Sequence, residues 1–114
     1  MKGRPYRAVA DYRAAYPDPI VITAGERIQV GESDRDNPAW VWCTGSSGKG
    51  GWVPAVYVRR DGDEGVALRD YSAMELSVRA GEGLTVLDEE AGWVWARDER
   101  GQVGWVPLEN VVRA

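Results

Sequence analysis

The chain has 114 residues, room for one ordinary domain or two very small ones. It is 44% hydrophobic, with six Trp, no Phe and a net charge of -4; that acidic balance argues against a nucleic-acid partner, which requires Lys and Arg to neutralise phosphates. The single Cys excludes an intrachain disulfide, and the lack of any His removes the usual base for a reactive thiol.

In chain order, the opening "MKGRPYRAVADYR" holds no apolar core of signal-peptide length, and no later run is long enough to span a membrane, so a cytoplasmic location is expected. "AVADY" (Ala8 to Tyr12) precedes a polar loop to Ile20. "AGERIQV" (Ala24 to Val30) reads as a turn and a strand with alternating apolar positions, and a second polar loop runs to Trp40. "WVWC" and "GWVP" flank the turn "TGSSGKGG" and form a hairpin, with Pro54 ending a strand where a missing N–H costs little. "RRDGDEG" (Arg59 to Gly65) is expected to be a short polar linker.

The same series then recurs. "ALRDY" matches "AVADY" at an offset of 59, "AGEGLTV" matches "AGERIQV" at 56, and "WVWA…VGWVP" matches "WVWC…GGWVP" at 53. The offset changes only between strand-like blocks, so the first copy has two loops each three residues longer. No window has helical periodicity. The expected architecture is all-β: two small antiparallel barrels in tandem, residues 1–60 and 61–114.

Both copies resemble the Src-homology-3 (SH3) domain. "AVADY…GERIQV…WVWC…GGWVPAVYV" and "ALRDY…ELSV…GEGLTV…WVWA…VGWVPLENV" follow the family pattern in order and spacing. The resemblance implies a non-catalytic interaction module that holds an extended, proline-rich peptide, with a basic residue, on a shelf of aromatic side chains. Carried over, the ligand-binding positions of the first copy are Tyr12, Asp18, Trp40, Trp52, Pro54 and Tyr57. Ala10 and Val56 depart from the pattern. The second copy keeps Tyr71, Glu75, Trp93, Trp105 and Pro107, but Arg69 and Asn110 replace two rings of the first proline pocket. The first copy is therefore expected to be the main binder. Acidic residues beside each shelf, Glu32, Asp34 and Asp36 in one copy and Asp88, Glu89 and Glu90 in the other, would attract a cation.

Three further readings bear on function. Strand alternation sets Trp40 and Trp42 on one face and Val41 and Cys43 on the other, with Cys43 a core filler matched by Ala96; at least one of Trp42 and Trp95 is then expected to be covered by the other barrel or by a second chain. Residues 1–60 carry nine basic and six acidic side chains and residues 61–114 five and twelve, so the halves are opposite in sign, which favours packing of the two copies. The alternative function is accordingly a structural tandem packed through its Trp faces with no groove in use; a cell-wall or nucleic-acid ligand is a weaker third reading. Nothing suggests a cofactor, a metal cluster or catalysis.

Overall fold

A computed structural model describes residues 3–15 and 18–114. The first repeat supplies β1 (Arg4–Ala8), β2 (Val21–Ile22), β3 (Arg27–Ser33), β4 (Trp40–Thr44), β5 (Gly50–Pro54) and β6 (Val58–Asp61). The second supplies β7 (Glu64–Ala67), β8 (Tyr71–Ser72), β9 (Gly83–Glu90), β10 (Trp93–Asp98), β11 (Val103–Pro107) and β12 (Val111–Arg113). A single 3-10 turn follows Pro54 and another follows Pro107. Every strand pair is antiparallel, and the described residues contain no α-helix. The β-rich expectation is met.

The two five-stranded sheets do not divide the chain as the repeats do. One has the order β11-β10-β9-β1-β12 and the other β5-β4-β3-β7-β6. The opening strand of each repeat thus lies in the sheet of the other. The compact units are Met1–Pro17 with Met74–Ala114, here unit 1, and Asp18–Ala73, unit 2. The expected boundary within 59–65 is not a boundary of these units: the "linker" is a β-hairpin inside unit 2. Asp61 pairs with Glu64, Arg60 with Gly65 and Arg59 with Val66, across the two-residue turn Gly62-Asp63. Gly62 has a φ of 67°, the left-handed value that tight hairpin turns require and glycine adopts at little cost.

The length of that connection explains the exchange. Only Gly62 and Asp63 separate Asp61 from Glu64, so the chain reverses at once and the strands it joins lie side by side as neighbours about 4.8 Å apart. With β6 and β7 forced to pair, the two opening strands change places. In unit 1, β1 fills the vacated position: Ala8 pairs with Val111, as Ala67 pairs with Val58 in unit 2.

Each exchanged strand is part of a core. Ala8 is buried with Leu76, Val78, Leu84, Val86, Val94, Ala96, Val106 and Val111 in unit 1. Ala67 is buried in unit 2, whose apolar interior includes Ile20, Ile22, Ile28, Val30, Val41, Cys43 and Val53. Fully burying one such Val, Leu or Ile is worth about 1.5–3 kcal/mol. Alternation in "WVWC" holds at Val41, Trp42 and Cys43, which are buried, exposed and buried in turn, but not at Trp40, which was expected on the outer face with Trp42 and is buried. Burial pushes the Cys43 thiol up to about 11, against a smaller opposing pull from Arg60, which suits a filler and not a nucleophile.

The charge asymmetry of the halves does not survive this partition. Unit 1 carries eight basic and nine acidic residues, net -1, and unit 2 six and nine, net -3. The units are both acidic, so opposite charge supplies no attraction between them.

Candidate functional site

Each unit places an aromatic cluster beside its 3-10 turn, and each cluster mixes residues of both repeats. In unit 1, Tyr12 meets Trp93 edge-on, with ring centroids 5.7 Å apart and planes at 79°. Both are half-buried, as are Pro107 and Asn110. Tyr12 donates its hydroxyl to Glu75 Oε1 at 2.8 Å, and the same oxygen accepts the Ala15 N–H at 2.7 Å. The backbone of Tyr12 bridges to Val78 through two 2.9 Å hydrogen bonds. Tyr12 and Ala15 are thereby tied to Glu75 and Val78 and the Tyr12 ring is held against Trp93, leaving little entropy to lose there on binding. Asp88, Glu89 and Glu90 lead into the tight turn Ala91-Gly92, directly before Trp93.

Unit 2 is more closed. Trp40, Tyr57 and Tyr71 are only 7%, 5% and 7% exposed, and Pro54 is fully buried. The Tyr57 and Tyr71 rings meet edge-on at 5.6 Å, and the Tyr71 hydroxyl donates to the Trp52 carbonyl at 2.9 Å. The Arg69 guanidinium lies over Tyr57, 4.4 Å from the ring centroid, an attraction worth about 0.5–2 kcal/mol. Asp18 pairs with Lys49 at 2.7 Å, so the acid expected to read a ligand cation already has one from its own chain.

The repeated Gly-Trp-Val-Pro phrase has a steric reason. A Cβ on Gly104 would lie 2.7 Å from the backbone of Glu75 and Leu76, and one on Gly51 would lie 2.6 Å from Ile20 Cγ2. The next residue then bonds the crossing segment: Leu76 N–H donates to the Trp105 carbonyl at 3.0 Å, and Trp105 N–H donates to Met74 at 2.9 Å.

Comparison with known proteins follows the two repeats in sequence order. Residues 5–61 match a family model described as a variant SH3 domain, and residues 66–108 match the SH3 domain model. The chain belongs to the SH3 family. It contains two SH3 domains in tandem along the sequence, and as an SH3 protein it is a protein-interaction module and not an enzyme. Among similar proteins is the SH2/SH3 adapter protein dreadlocks of Drosophila melanogaster, 32% identical over 120 residues. The match covers 85% of this chain and 21% of the relative, so the chain spans about a fifth of that protein.

The SH3 positions read from the sequence are redistributed by the exchange. Tyr12, expected with Trp40 and Tyr57, stands instead with Glu75, Trp93, Trp105 and Pro107 in unit 1. Trp40, Trp52, Pro54, Tyr57 and Asp18 share unit 2 with Tyr71 and Arg69. Trp105 is buried, its ring edge-on to Trp95 at 5.3 Å; Trp52 is half-buried against Trp42 at 5.2 Å. The cross-strand partner half-buries Trp95 from within its own unit, where cover from elsewhere was expected, whereas Trp42 stays exposed although it meets Trp52 edge-on. Tyr16 and Pro17 of the expected acidic loop lie outside the described residues. No helix among the described residues is long and apolar enough to cross a membrane.

Proposed function

We propose that the chain binds an extended, proline-rich peptide carrying a basic residue, as part of an intracellular adapter, and that the shelf in use is that of unit 1. The observation that carries this reading is the half-buried Tyr12–Trp93 pair, with Pro107 and Asn110 beside it. A polyproline II segment is already extended, and its rings pack between such faces at low entropic cost. Asp88, Glu89 and Glu90 supply negative charge for the basic residue. The first-repeat shelf, expected to be the main binder, has its rings buried and Arg69 over Tyr57, which disfavours it.

The test is an NMR titration of the full chain with an Arg-containing proline-rich peptide. The indole N–H of Trp93 should shift more than that of Trp40, with an affinity on the order of 10–1,000 μM. Trp93→Ala should remove the response and leave unit 2 signals in place. A titration that moves Trp40 and leaves Trp93 unmoved overturns the choice of unit, and one that moves neither overturns peptide binding.

A further inference from the structure

The second feature of unit 1 is a cleft of about 900 Å³ lined by three arginines, Arg13, Arg79 and Arg100, together with Tyr12 and Ser77. We propose that this cleft, which adjoins the aromatic shelf at Tyr12, is a second binding site for an oxyanion carried by a partner protein: a phosphorylated or carboxylate-bearing side chain on an acidic segment.

The cations come from three separate stretches of chain. Arg13 follows Tyr12 in the N-terminal segment, Arg79 opens the turn before β9, and Arg100 lies in the β10–β11 turn. Only the exchange unites them, because Arg13 belongs to the first repeat and the other two to the second. Two acids, Asp11 and Glu82, also line the cleft, so three cations face two anions for a formal net of +1, and each acid has one carboxylate oxygen committed to the backbone. Asp11 Oδ1 accepts the Ala80 N–H at 2.8 Å, and Glu82 Oε1 accepts the Arg79 N–H at 3.1 Å. Arg100 leans on the buried Asp98 at 3.3 Å, while its own side chain stays 68% exposed. Arg13 and Arg79 make no ion pair or side-chain hydrogen bond to any described residue.

Unit 2 provides the control that separates a structural role from a binding one. Its residues at the aligned positions are Ser72, Thr23 and Ser47. The supporting backbone geometry is nevertheless the same: Asp70 accepts the Ala24 N–H at 2.9 Å, and Glu26 accepts the Thr23 N–H at 3.1 Å. The fold therefore builds this corner equally well from small hydroxyl residues. Three guanidinium groups in one cleft are not needed to form it, and their planar forks suit phosphate and carboxylate oxygens. Ser77, exposed on the cleft lining, accepts the Ala14 N–H with its Oγ at 2.9 Å.

Three short peptides of one neutral sequence, bearing phosphoserine, Glu or Ser at the centre, test the site by titration into the ¹⁵N-labelled full chain at low salt. The phosphoserine peptide should give saturable shifts around Arg13, Arg79 and Arg100 that exceed any shift of the Trp93 indole, which reaches the cleft only through Tyr12. Similar shifts with the Glu peptide assign the site to carboxylates as well. R13S/R79T/R100S, which installs the residues of unit 2, should weaken phosphopeptide binding by about tenfold or more. R13K/R79K/R100K keeps the charge, loses the fork and should also weaken it. R27S/R35S/R59S removes as much charge elsewhere and should change affinity less than about twofold. Equal weakening by the first and last variants, equal shifts with the Ser peptide, or no saturable shift with either anionic peptide overturns the proposal. The Trp93 test above is unaffected by any of these results.

Discussion

The two-residue connection between β6 and β7 holds the exchanged arrangement, and lengthening it gives a quantitative test. Inserting ten Gly/Ser residues between Gly62 and Asp63 changes the hairpin loop from two residues to twelve. Loop closure scales as (3/2)RT ln n, so the insertion should cost the β6–β7 hairpin about 1.6 kcal/mol. With a urea dependence of about 1 kcal/mol per M for a unit of this size, its midpoint should fall by roughly 1–2 M. The assay is urea denaturation, joined to NMR measurement of cross-strand contacts. In the parent chain, contacts should join Arg60 to Gly65 and Tyr6 to Arg113. In the insertion variant the opening strands are free to return to their own repeats, so contacts joining Ala8 to Val58 should appear. An unchanged midpoint, or Ala8–Val58 contacts in the parent, would refute the argument that connection length dictates the exchange.

Gly104→Ala should destabilise unit 1 by about 1–3 kcal/mol, because the new Cβ meets backbone that cannot swing away; thermal melting checks it, and an unchanged melting temperature would show that the crossing segment yields. Ala91 holds a φ of 50° beside Gly92 in the turn before Trp93, so Ala91→Asn should stabilise by about 0.5–1 kcal/mol, as Asn tolerates the left-handed region better; chemical denaturation reads the gain. Burial alone would raise the Asp98 carboxyl, but the N–H groups of Gln102 and Arg100 and the Arg100 guanidinium together hold it below the ordinary value. A depressed native value means that the contribution of Asp98 is fully present above the unfolded value near 4 and is lost as pH falls through the lower native one. Asp98→Asn should lower the melting temperature at pH 7, and its gap from the parent should close in acid; a gap that persists below pH 3 would remove Asp98 from the acid response.

Much of the fold was legible because it is encoded locally. Alternation in "RIQV", the Gly-Glu turns and the repeat offsets each depend on a few neighbouring residues, and each appears where expected; in "WVWC" the alternation fails at Trp40, which is buried. The longer second loop of the first copy is also present: six residues separate β3 from β4, where only Ala91 and Gly92 separate β9 from β10. The exchange was not legible from the pattern, since "AVADY" and "ALRDY" offer either sheet nearly the same strand. Ala8 and Ala67 are both 1% exposed. The deciding signal was the length of "RRDGDEG", which reads as a linker by composition and as a hairpin once Gly62-Asp63 is seen as a two-residue turn. The arginine cleft was hidden for the same reason, because Arg13 stands 66 residues before Arg79 and meets it only after the exchange.

Strand exchange therefore acts on function through side chains that the exchange itself leaves chemically unlike. The pairing of β1 with β12 and of β7 with β6 is equivalent in register. The residues that follow each opening strand are not: one segment continues with Ala10, Tyr12 and Arg13, the other with Arg69, Tyr71 and Ser72. Returning each segment to its own repeat would set Arg69 beside Asn110 and leave Tyr57 without its guanidinium. Trp93 would lose Tyr12, and the Tyr12–Glu75 hydrogen bond and the arginine cluster would be lost together. The short hairpin between β6 and β7 thus selects which ring, acid and cation share a unit, although none of its own residues belongs to the proposed shelf or cleft.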